Sequence, residues 1–167
     1  MSTGPASSSS SPQGAVKRLL QELKLYAQDP NSDVLLHLGP VSEDQLLHWE
    51  AVLKGPSASP YEGGLWKLAI RIPENYPLAP PDIKFVTPIC HPNVHFQTGE
   101  ICLDLLKTSW SPAYTIAQTL VSIQQLLTDP EPDSPLNVDV AALLRAGDLV
   151  GAEALVRFYT GEERWRG

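Results

Sequence analysis

Leu65-Trp66-Lys67-Leu68-Ala69-Ile70-Arg71-Ile72 puts Leu65, Lys67, Ala69 and Arg71 on one side of an extended chain and Trp66, Leu68, Ile70 and Ile72 on the other. Period-two alternation of this kind marks a strand with one covered face. After it comes Tyr76-Pro77-Leu78-Ala79-Pro80-Pro81, which cannot be a central strand because proline has no N–H to donate. That segment reads as a rigid corner, with Leu78 exposed on it. Asp82 to Val86 then reads as the last strand. Two more lie upstream, Val34 to Leu38, ending at Gly39-Pro40, and Leu46 to Lys54, ending at Gly55-Pro56. The links between the four are short, rich in Gly, Pro, Ser and Asn, and hold no helix. Strands joined in this way predict an antiparallel meander.

Helical patterning flanks the meander. Val16, Leu19, Leu20, Leu23 and Ala27 recur at helical spacing, and Asp29-Pro30 ends the run. Residues 1–14 hold a serine run with Pro and Gly and read as a disordered tail, which leaves one domain over 15–167. Downstream, Ser111 is expected to cap a helix with Pro112 in its first turn, burying Ile116, Leu120, Ile123 and Leu127. Asp129-Pro130 ends that helix. Asn137 or Asp139 caps a short one running to about Ala146, which Gly147 breaks. A last helix covers about Leu149 to Thr160, with Leu149, Ala152, Leu155, Val156 and Tyr159 turned inward.

Composition narrows the function. A net charge of −7, without any Lys/Arg run, argues against a nucleic-acid binder. No apolar run approaches the roughly 20 residues of a membrane span, and the chain lacks a secretory, prenylation or peroxisomal-import signal. A soluble intracellular protein is expected. Two cysteines, Cys90 and Cys102, give no disulfide framework and point to a reducing compartment.

Residues 87–110 show little periodicity, and a loop of that length in a small domain usually carries function. It contains His91-Pro92-Asn93 and, nine residues after Asn93, Cys102. Between Ile101 and Leu103 a cysteine is ordinarily a small buried hydrophobe. Its place just after Thr98-Gly99-Glu100 favours instead a nucleophile presented by a turn. His91 is either a general base or, restricted by Pro92, a brace acting through its ring nitrogens. Asn93 is either a turn residue or a donor to a developing oxyanion. A metal site from Cys90, His91, His95 and Cys102 does not match a paired-ligand spacing. Asp104 is a solvated charge or an acid that orients an incoming amine. Ser134, in Asp133-Ser134-Pro135, is a turn residue or the far lip of a groove. Lys17, Arg18 and Lys24 lie off the apolar stripe, as a solvated face or a docking patch. Phe158, Tyr159 and Trp165 are more aromatic than a helix end needs, and either pack inward or meet a partner.

The order of helix, four strands, Tyr76-Pro-x-x-Pro-Pro81, His91-Pro-Asn93, Ile101-Cys102-Leu103, Trp110-Ser-Pro112 and further helices resembles the ubiquitin-conjugating enzyme family over about residues 15–160. The resemblance implies an α+β fold: an N-terminal helix, a four-stranded antiparallel meander and C-terminal helices. It implies that Cys102 takes the ubiquitin C-terminus from the activating enzyme as a thioester and passes it to a target. By the same resemblance Asn93 is the oxyanion or loop-ordering residue and His91 braces the loop. Asp104 and Ser134 are supporting positions. Lys17, Arg18, Leu78, Ser111, Pro112 and Ala113 fall where activating enzyme and a RING-type ligase bind. No metal or organic cofactor is implied, ATP being used by the activating enzyme.

The segment from Asn93 to Cys102 is one residue longer than in the commonest members. Arg157-Phe158-Tyr159-Thr160 replaces a tryptophan-threonine pair. With Asp133-Ser-Pro-Leu-Asn-Val-Asp139 and Arg145-Ala-Gly-Asp148, these departures resemble the peroxisomal branch. That branch implies work on the cytosolic face of the peroxisome, with the matrix-protein import receptor as substrate. It also implies a membrane-anchored partner docked on the later helices, where Phe158 and Tyr159 lie. A general cytosolic conjugating enzyme and a non-catalytic ubiquitin-binding variant are the competing readings. The second is disfavoured by the presence of both Asn93 and Cys102.

Overall fold

The computed structural model describes residues 12–131 and 135–163. In chain order its elements are α1 (Pro12–Gln28), β1 (Leu35–Pro40), β2 (His48–Lys54), β3 (Leu65–Arg71), β4 (Asp82–Phe85), a 3₁₀ turn (Asp104–Leu106), α2 (Ile116–Thr128), α3 (Val138–Arg145) and α4 (Leu149–Glu163). The strands form one antiparallel sheet in the order β1-β2-β3-β4, so the meander and the α+β class hold.

The alternation in β3 sets the inner face. Trp66, Leu68 and Ile70 are buried, while Ala69 and Arg71 are exposed. Trp49 of β2 pairs with Ile70, and Ile83 of β4 pairs with Ile70 from the other side, so one row crosses the sheet. Leu19 of α1 and Ile116, Leu120 and Ile123 of α2 join these residues in one continuous core. α2 is also tied to the strand ends, its Gln124 Nε2 donating to the Lys54 carbonyl at 3.0 Å. Pro40 ends β1 at the sheet edge, a position that a residue without an N–H tolerates.

Several expectations shift. α1 begins at Pro12, so Pro12, Gln13 and Gly14 are helical and not part of a tail; residues 1–11 lie outside the described residues. On α1 the buried line is Ala15, Leu19 and Glu22; of the stripe read from the sequence Leu19 is buried and Leu23 packs against the core, whereas Leu20 and Ala27 face out. A carboxylate buried in that line has partners, given below. α2 starts at Ile116, one turn later than Ser111-Pro112 suggests. Thr115 is the cap: its hydroxyl accepts from the Gln118 N–H, and the Gln118 side chain accepts from the Thr115 N–H. This is a reciprocal capping box. Asn137, not Asp139, caps α3, its Oδ1 accepting from the Val140 N–H. Gly147 takes the left-handed turn between α3 and α4 at φ 78°. Leu149 opens α4 exposed, not inward, whereas Ala152 and Val156 are buried.

Candidate active site

The candidate site is a hairpin with a buried base. Val94 and Ile101 are bridged, the Cys102 N–H donates to the Asn93 carbonyl at 2.8 Å, and the His95 N–H donates to the Glu100 carbonyl at 2.9 Å. Gly99 turns its tip at φ 73°, and its carbonyl accepts from the Phe85 N–H at 3.0 Å. A Cβ at Gly99 would stand 1.9 Å from the Phe85 carbonyl oxygen, so only glycine fits. The hairpin is therefore an added edge on β4, and it holds Cys102 half-buried at its base. Cys90, by contrast, is buried, and burial first, then the Asp139 charge, pushes its thiol up to about 11. Both cysteines are free thiols. Among the described residues no group of three or more His, Cys, Asp or Glu side chains is placed to hold a metal ion.

His91 is fully buried, and both ring nitrogens are engaged. Nδ1 accepts from the Asn93 N–H at 3.0 Å, which leaves the proton on Nε2 to donate to the Leu126 carbonyl at 2.8 Å. Burial holds the ring well below the usual histidine range, at about 4, partly offset by the Leu126 carbonyl. A neutral imidazole tied at both nitrogens cannot take a proton from the thiol, so of the two readings the geometry is that of a brace.

Asn93 is also fully buried. Its Nδ2 donates to the Glu131 carbonyl at 2.6 Å, and its Oδ1 accepts from the Glu131 N–H at 2.7 Å. The side-chain amide thus pairs with a backbone amide as a strand neighbour would. Pro92 completes the set, its carbonyl accepting from the N–H groups of Leu136 at 2.8 Å and Asn137 at 3.0 Å. Three consecutive residues therefore fasten the end of α2, the segment after it and the start of α3. Ser134 itself lies outside the described residues. Asp104 opens the 3₁₀ turn two residues past the thiol, exposed, while its carbonyl holds the turn through the N–H groups of Lys107 and Ser109.

The residues assigned to the partner-facing surface come together in part. Lys17, Leu78, Pro112 and Ala113 are exposed and Ser111 is half-buried. The Trp110 indole N–H donates to the Pro77 carbonyl at 2.9 Å, which brings the Leu78 corner to the 110–114 loop. Arg18 is not part of a solvated face: its guanidinium turns to Glu22 and to the carbonyls of Pro112 and Tyr114. Sequence reasoning missed Glu22. The signal was a carboxylate three residues beyond Leu19, inside the apolar stripe. On α4, Phe158 is 60% exposed, and Tyr159 packs between it and Phe96 of the hairpin, ring centroids 5.3 and 5.2 Å apart. No described helix is long and apolar enough to cross a membrane.

Comparison with known proteins fits this geometry. The family described as ubiquitin-conjugating enzyme matches residues 18–155. A Dictyostelium discoideum protein named ubiquitin-conjugating enzyme E2 pex4 is 53% identical over 143 residues, covering 86% of this chain and 95% of that one. Protein PEROXIN-4 of Arabidopsis thaliana is 47% identical over 149 residues, covering 89% and 94%. Among solved structures, the H. polymorpha ubiquitin-conjugating enzyme Pex4p, in complex with the soluble domain of Pex22p, superposes with a TM-score of 0.84. It is 40% identical and covers 91% of this chain and 99% of that one. A half-exposed thiol on a pinned hairpin, a four-stranded meander and matches spanning most of the chain lead to one conclusion: the chain belongs to the ubiquitin-conjugating enzyme family.

Proposed function

We propose that Cys102 carries ubiquitin. Its sulfur attacks the thioester carbonyl that joins ubiquitin to the activating enzyme. The new S–C bond forms as the bond to the activating enzyme's sulfur breaks, and the Cys102 proton passes through solvent to that departing thiolate. A second nucleophile, an amine or a thiol of the target, then attacks the same carbonyl and releases Cys102. The observation that carries this reading is the contrast between two free thiols: Cys90 is buried, while Cys102 sits half-exposed on a hairpin braced from beneath. In this scheme Asn93 orders the loop by clamping Glu131, His91 holds Asn93, and exposed Asp104 orients the incoming nucleophile; the resemblance gives Ser134 a supporting role. No cofactor takes part; ATP is used by the activating enzyme. Lys17, Leu78, Ser111, Pro112 and Ala113 form the surface for activating enzyme and RING-type ligase.

The relatives support a biological setting for this chemistry. Proteins named pex4 and PEROXIN-4 are similar over nearly their full lengths, and a similar structure is a complex with the soluble domain of Pex22p. The role proposed for this chain is ubiquitination of the peroxisomal matrix-protein import receptor, on the cytosolic face of the peroxisome. A membrane-anchored partner holds it there. Val150, Ala154 and Phe158 repeat every four residues on α4 and are all exposed, so one apolar stripe is available to that partner.

Charging tests the chemistry. With activating enzyme, ATP and ubiquitin, the protein is expected to form a reductant-sensitive adduct. Cys102→Ala should form none, and Cys102→Ser a reductant-resistant ester. An adduct persisting in Cys102→Ala would refute the assignment.

A further inference from the structure

Three donors from three parts of the chain converge on one carboxylate on the inner face of α1. Glu22 Oε2 accepts from the Tyr76 hydroxyl at 2.6 Å and from Arg18 Nε at 3.1 Å, and Oε1 accepts from the Ile116 N–H at 2.7 Å. Ile116 N–H belongs to the first turn of α2, so Glu22 ties down the end of the segment that leads into that helix. Arg18 takes the other end. Its Nη2 donates to the carbonyls of Pro112 at 2.9 Å and Tyr114 at 3.0 Å. A planar guanidinium spans a carboxylate on one edge and two carbonyls on another without changing shape. The contacts join residues more than 90 positions apart in the chain, and between their two ends lies the exposed turn carrying Pro112 and Ala113.

We propose that Glu22 and Arg18 are positioning residues that set the 111–114 turn in the shape activating enzyme and ligase recognise. The inference rests on the reading of that turn, with Lys17 and Leu78, as their surface. Only an acceptor-only fork suits position 22. Glutamine there turns an NH₂ either toward Ile116 N–H or toward Arg18 Nε–H, setting donor against donor. At position 18 a lysine offers a single ammonium in place of the rigid fork, and so holds fewer of the three acceptors at once. The hydrogen bonds of Arg18 and Glu22 run to each other, to Tyr76 and to residues 112–116 and not to the hairpin, so their loss acts on encounter with the partner and leaves the chemical step alone.

The test pairs amide hydrogen exchange with steady-state charging of the full chain, at a temperature where circular dichroism shows each variant folded. Arg18→Met keeps the aliphatic stem and removes the fork. The Tyr114 N–H, bonded to the Ser111 carbonyl within the turn, is expected to exchange about tenfold faster in it. The KM for charging is expected to rise about tenfold, with kcat within about twofold. Arg18→Lys should restore part of both changes. Glu22→Gln should speed exchange at Ile116. Unchanged exchange at Tyr114 and Ile116 in Arg18→Met and Glu22→Gln overturns the inference. Faster exchange with unchanged charging KM and unchanged ligase-stimulated discharge overturns instead the surface assignment on which it rests.

Discussion

Lowering the pH from 7 to 5 should weaken the fold through one ring. His91 in the folded protein is held at about 4 by burial, against an ordinary value near 6.5. Between those values the unfolded chain binds a proton that the folded chain does not, so stability falls as pH falls through this window. The contribution is fully present above about pH 6.5 and fully lost below about pH 4. Linkage gives about 2 kcal/mol lost between pH 7 and pH 5, and about 3 kcal/mol over the whole window. The structure gives the cause: protonating Nδ1 would set a donor against the Asn93 N–H inside a site with no exposure. Urea unfolding at pH 7 and pH 5 measures the difference, and subtracting the same difference in His91→Phe isolates this ring from the carboxylates. His91→Phe should be less stable at pH 7, because it strands the Asn93 N–H and the Leu126 carbonyl. It should also lose the histidine share of the pH dependence. A proton NMR titration in which the His91 ring signal shifts with a midpoint above 6 would refute the reasoning. So would a His91→Phe profile parallel to the wild type.

Other consequences follow from the same hairpin and its neighbours. Gly99→Ala should lower stability by more than about 2 kcal/mol, since the residue needs a left-handed φ and the Cβ meets the Phe85 carbonyl; thermal unfolding measures it, and a neutral result contradicts the hairpin. Iodoacetamide at pH 8 should alkylate Cys102 in the folded protein and reach Cys90 only on unfolding, as peptide mass spectrometry reads out. Phe158→Ala should change stability by less than about 0.5 kcal/mol, the side chain being exposed. In pull-down with the membrane-anchored partner it should weaken capture at least about tenfold; unchanged capture would move the docking surface elsewhere.

The meander was legible because its information is local. Alternation in Leu65–Ile72 and proline at Pro77, Pro80 and Pro81 each act within a few residues, and β3, β4 and the corner fall where they point. The start of α2 was not legible for the opposite reason. Ser111-Pro112 and Thr115-x-x-Gln118 are both acceptable starts, and the choice is made by distant partners: Arg18 takes two carbonyls of the first, and Glu22 receives the Ile116 N–H of the second. Rotation of α1 has the same source. Leu20 looks like a core residue until Glu22 is seen to need the inside position. At the candidate site, residue types and order were readable, and so was the doubt whether His91 is a base or a brace. That doubt is removed by contacts to Asn93 and Leu126, the second of which no spacing rule anticipates.

The fastening of Glu131, Leu136 and Asn137 onto Pro92 and Asn93 has a consequence for synthesis. Cys102 emerges from the ribosome 29 residues before Glu131, the first of these three groups. A nascent chain therefore presents the Cys102 sulfur for a time on a hairpin that lacks those contacts. On the function proposed for Cys102, competence to accept cargo is expected only once that later segment has folded back, so a chain cut short after α2 would keep Cys102 and the Leu126 carbonyl that holds His91, and lose the partners of Pro92 and Asn93.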